Sequence, residues 1–117
     1  MLKENKMIYW NDDVSEEVLK KAGFNNRNYF VECVHDNITL NISKRKDVLK
    51  IDVLDESFLQ PYDYQFKLKY SPNFKFAKTV KRNVDKILYE MQELGIISGF
   101  SDEHYVYSKY TKDKCYN

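Results

Sequence analysis

Glycine and proline are scarce in this chain, three and two of 117 residues. That excludes a collagen-like or low-complexity chain and leaves too few glycines for a phosphate-cradling loop. Histidine and cysteine number two each. Cys33 and Cys115 lie far apart, so the spacing suits neither a disulfide framework nor a zinc site. The sequence predicts a buried thiol at Cys33, a tail thiol at Cys115 and a reducing, cytoplasmic setting. No apolar run approaches the ~20 residues that span a bilayer, and the first residues lead to no apolar signal core. Net charge is only +1, so no whole-molecule field draws the chain to nucleic acid or a membrane.

Aromatics are plentiful: ten Tyr, seven Phe and one Trp. They supply enough apolar area for one domain over residues 1–117 to form a core without metal or disulfides. Residues 62–70 alternate without a fault. Tyr62, Tyr64, Phe66, Leu68 and Tyr70 are apolar, and Asp63, Gln65, Lys67 and Lys69 are polar. Period-two alternation predicts a strand with one buried and one solvated face.

Other elements follow from the same rules. Residues 7–10 read as a short edge strand. Asp13 with Glu16 has capping-box spacing, Ser15 is a second N-cap candidate, and Gly23 can end a helix over 14–22. Residues 29–35 have apolar side chains on both faces and read as a central strand. Asp36 and Asn37 form a turn, Ile38, Leu40 and Ile42 alternate, residues 44–47 turn again, and Leu49, Ile51 and Val53 follow in register. Pro72 suits a helix start, and Phe76, Val80, Val84, Ile87, Leu88, Met91 and Leu94 make a helical stripe over 74–94. Gly95 is placed for the left-handed cap, with Ile96 folding back. Residues 104–110 read as a last strand and 110–117 as a frayed tail. The fold class is α+β: an antiparallel four- to five-stranded sheet covered on one face by a short N-terminal helix and a long C-terminal helix. Thr39, Asn41, Ser43, Lys50 and Asp52, with Asp63, Gln65, Lys67 and Lys69, belong to the other face.

Charge is unevenly placed. Residues 47–63 hold five acids and one base; residues 64–83 hold six bases, Lys67, Lys69, Lys75, Lys78, Lys81 and Arg82, and no acid. Aromatics interleave with those bases, a combination that suits phosphates and stacked bases. The order helix, strands, basic helix start resembles a double-stranded-RNA-binding domain, with Lys75, Lys78, Lys81 and Arg82 at the phosphate-contacting positions. It departs from that family in having four strands rather than three and no matching loop motif. The lysine-, asparagine- and tyrosine-rich composition is similar to that of small proteins from AT-rich Gram-positive bacteria and their phages.

No cofactor is implied. Cys33 and His35 share one side of a strand, and Asp102, Glu103 and His104 add donors, but two loose clusters fall short of a metal site. Neither histidine has a nucleophile context, and Asp55 and Glu56 read as a solvated pair, so the expectation is not an enzyme. The leading expectation is a small protein-binding module of inhibitor or immunity type, as in phage or mobile-element accessory factors. Its partner-binding candidates are Lys67, Lys69, Lys75, Lys78, Arg82, Tyr105 and Tyr107, the tyrosines as exposed aromatics. The alternative is a nucleic-acid-binding accessory domain using residues 67–82.

Overall fold

The computed structural model describes residues 7–25, 29–45, 48–62, 64 and 74–106. Strand β1 (Tyr9–Trp10) leads to helix α1 (Glu16–Ala22), then to strands β2 (Tyr29–His35), β3 (Ile38–Arg45), β4 (Val48–Asp55) and β5 (Gln60–Pro61). Helix α2 (Phe74–Glu93) and strand β6 (Ile97–Ser98) follow. The fold is α+β. Four antiparallel strands pair in the order β2-β3-β4-β5, and β1 pairs with β6 in a separate two-stranded ribbon.

Alternation along the strands sorts the side chains. Phe30, Ile42 and Ile51 align across β2, β3 and β4, and Leu40 faces Val53. All five are buried, in one cluster with Leu19 of α1 and Ala77, Val80, Val84, Leu88 and Met91 of α2. The opposite row is polar: Ser43 faces Lys50, and Asn41 faces Asp52. Residues 39, 41, 43, 50 and 52 therefore share the face opposite the buried row, as their spacing predicts; residues 63, 65, 67 and 69 lie outside the described residues.

Helix ends follow local chemistry. Ser15, not Asp13, caps α1: its side chain accepts the Val18 N–H at 3.3 Å. Asp13 instead turns its own N–H onto Asn11 Oδ1 at 2.9 Å. Val14 and Leu19 then occupy the staple positions around the cap, and both are buried. At the end of α2, Gly95 N–H donates to Gln92 O at 3.0 Å and Ile96 N–H to Met91 O at 2.9 Å. This is the Schellman pair, with Gly95 at φ 81° and Ile96 fully buried. A Cβ at Gly95 would meet nothing within 4 Å. The backbone angle alone should make Gly95→Ala cost about 1–2 kcal/mol in a denaturant melt. A neutral result would mean that the cap does not hold this conformation in solution.

Several expectations need correction. Among the described residues β2 is an edge strand, not a central one. Its outward Tyr29, Val31 and Cys33 are exposed, so the apolar residues on its second face mark a surface rather than a second buried layer. The Cys33 thiol is free and exposed, and donates to Asp36 O at 3.0 Å. Lys44 and Arg45 extend β3, where Arg45 faces Val48, so the turn is shorter than 44–47. Phe76 and Leu94 leave the α2 stripe for the surface, and Ala77 takes an inner position. The strand expected over residues 104–110 is not formed at 104–106, because the Asp102 and His104 carbonyls accept from Lys81 instead of a neighbouring strand. Of the strand expected over 62–70, Tyr62 and Tyr64 are buried, while 63 and 65–70 lie outside the described residues.

Candidate partner-binding surface

Lys67, Lys69 and Tyr107 lie outside the described residues. Lys75 is in the first turn of α2, and Lys78 and Arg82 are exposed further along it. Positions 75, 78 and 82 fall at i, i+3 and i+7, on one helical face.

Lys81 does not join them. Its Nζ donates to Asp85 Oδ1 at 3.0 Å, Asp102 O at 2.6 Å and His104 O at 2.8 Å. It also sits 4.4 Å from the centre of the Tyr105 ring. This ammonium is a fastener between α2 and the chain that follows β6. Tyr105, expected as an exposed aromatic, is half-buried against the core, its ring 5.4 Å from that of Tyr64. His104 is buried, stacked on Phe100, and its Nδ1 lies 3.1 Å from the Ser101 N–H. These partners are mostly backbone groups, which leave no trace in side-chain patterns.

On the polar sheet face, side chains satisfy one another. Tyr29 Oη donates to Asn41 Oδ1 at 3.1 Å, Asn41 Nδ2 to Thr39 Oγ1 at 2.9 Å, and Thr39 Oγ1 to Glu56 Oε2 at 2.7 Å. Burial raises the Asp52 pKa despite the charge of Lys50. Cys33 and His35 are separated by a register shift in β2. Among the described residues, no three His, Cys, Asp or Glu side chains are grouped to hold a metal ion.

The ladder on that face ends at the β4–β5 loop, residues 56–59. Phe58 is 70% exposed and Leu59 83%, and Leu59 holds a left-handed φ of 54°. That angle is costly for a non-glycine residue and persists only where neighbours enforce it. Here the bracing is visible. Glu56 N–H donates to Asn37 O at 2.8 Å, and Ser57 N–H to Asp55 Oδ1 at 3.0 Å. Asn37 Nδ2 reaches Ser57 Oγ at 2.7 Å, and Thr39 holds the Glu56 carboxylate. The β2–β3 turn thus grips the base of the loop and leaves two large apolar side chains in water. Burying such a pair would yield about 3–6 kcal/mol. The available signal was two adjacent apolar residues within a loop that begins with two acids.

Comparison with known protein families, with curated proteins and with solved structures finds no match to this chain.

Proposed function

We infer that this chain is a small protein-binding module that works without catalysis, with the Phe58–Leu59 tip as its main contact. The carrying observation is the braced tip: two apolar side chains held outward by a network of hydrogen bonds. A loop already fixed in one conformation loses little entropy on docking. Its partner is a protein with an apolar cleft. Asp55 and Glu56 beside the tip disfavour an anionic lipid surface. No described helix is long and apolar enough to cross a membrane. An inhibitor or immunity type of accessory factor fits a preset loop on a domain of this size, and the composition suits a phage or mobile element. The free, exposed Cys33 thiol supports a cytoplasmic setting. The nucleic-acid alternative is weakened, because Lys81 is committed to internal partners.

The test is a Phe58→Ser/Leu59→Ser double variant beside the wild type, each immobilised and exposed to extract from the cell that makes the protein. The wild type should retain a specific protein that the variant loses, with an unchanged melting temperature. Retention unaffected by the double variant would overturn the assignment of the tip. Salt-sensitive capture of nucleic acid, abolished by changing Lys75, Lys78 and Arg82 to Glu, would establish the alternative.

A further inference from the structure

A second surface lies along β2, with different chemistry from the tip. The Tyr29 carbonyl turns away from β3 and accepts the Asn25 N–H at 2.9 Å. In an antiparallel pair, residues facing their neighbour's backbone alternate with residues facing away. The β2–β3 register runs unbroken from Tyr29 to Cys33, so Val31 also presents its N–H and C=O outward. Further along, Asn83 Nδ2 closes the edge by donating to Val34 O at 2.7 Å. Among the described residues, no strand pairs with this side of β2.

Beside the open stretch is a groove of about 420 Å³ between α1, β2 and the last turns of α2. Buried Phe30 and Met91 line it with half-buried Ile87. Glu32, Glu90 and Glu93 also line it, against one cation, Lys21. On the opposite face of the strand, Tyr29 and Val31 are exposed.

We propose that β2 accepts an added strand: an extended segment of a partner protein carrying Lys or Arg at alternate positions. A strand paired at Val31 would set every second side chain over the groove. Three carboxylates against one ammonium select cations there, and the aliphatic stems of Lys or Arg suit the Phe30–Met91 lining. The remaining side chains would meet Tyr29 and Val31. A second copy of this chain is disfavoured, because it would bring its own three glutamates to the same seam. This surface is independent of the tip, and each is tested by its own variants.

The probe is a capped peptide of alternating Lys and Val, about eight residues long, one strand's length. It should bind and protect the Val31 amide from hydrogen exchange, whereas a Glu–Val peptide should not. Glu32→Lys with Glu90→Lys should weaken binding by about tenfold or more. Val31→Pro removes an N–H that the sheet does not use, so the fold should hold while binding is lost. Failure of the Lys–Val peptide to bind, equal binding of the Glu–Val peptide, or binding indifferent to both variants would overturn the proposal. A dimer of the protein alone that Val31→Pro dissolves would overturn the choice of occupant.

Discussion

Lys81→Met is expected to destabilise the fold by about 3–5 kcal/mol near neutral pH, the cost of stranding one member of a buried ion pair. The Lys81 and Asp85 side chains are only 12% and 16% exposed, and their charged atoms lie 3.0 Å apart. Methionine keeps the stem but removes the donor shared by Asp85, Asp102 O and His104 O. The loss should depend on pH. Burial raises the Asp85 pKa above 3.8, outweighing the hydrogen bond and charge of Lys81 that lower it. An acid whose pKa is higher folded than unfolded binds its proton more tightly when folded. Its contribution to stability is therefore full below the unfolded value and is lost as pH rises through the folded one. In the Met variant the carboxylate has no ammonium beside it, so protonation relieves more of the strain. Denaturant melts at about pH 7 and pH 4 should show the gap to wild type narrowing on the acid side. Arg82→Met, one position along on the exposed surface, should change stability by about 0.5 kcal/mol or less. Equal losses for the two variants would mean that the Lys81 fastener is not formed in solution.

That fastener marks where sequence reading stopped. Period-two alternation at Ile38, Leu40 and Ile42 correctly assigned both faces of β3, because burial and spacing coincide there. The Leu94-Gly95-Ile96 stop was legible because a left-handed cap demands glycine and a hydrophobic return. Lys81 looked like its basic neighbours, since nothing in its side chain announces that two backbone carbonyls will arrive from residues 102 and 104. Residues 7–10 read as a short strand, as β1 is, but β6 and its pairing with β1 were hidden for a similar reason. The strands of this ribbon are two residues each, and Asn11 fastens it through backbone and side chain, to Ile96 O at 2.9 Å and Gly95 O at 2.8 Å. The tip was missed because Phe58 and Leu59 are the residue types a core would claim. Only the bracing by Asn37 and Thr39 shows that they are kept out of it. Where a residue's partner is distant backbone, pattern predicts the element and not the contact.

Tyr64→Ala is expected to cost about 3–5 kcal/mol, as for other large core truncations. Tyr64 is fully buried, and its Oη accepts the N–H of Val106, also fully buried, at 2.8 Å. Tyr64→Phe separates the two roles of the side chain. The ring survives, but the Val106 N–H loses this acceptor in a dry interior, a loss of about 1–3 kcal/mol. Hydrogen exchange gives the specific readout: the Val106 amide should exchange faster in the Phe variant than the global loss of stability accounts for. The position also bears on the tip. The chain leaving Leu59 passes through β5, and Tyr62 N–H pairs with Val53 O at 2.9 Å before Tyr64 enters the core. Tyr64 therefore anchors one arm of the loop, while Asn37 and Thr39 hold the other. Phe58→Ala, at the exposed end of the same loop, should change stability by about 0.5 kcal/mol or less. A Tyr64→Phe variant as stable as wild type, with unchanged exchange at Val106, would show that this hydrogen bond does not hold the arm. A large loss for Phe58→Ala would show that the tip packs inward, and would remove the ground for assigning it to a partner.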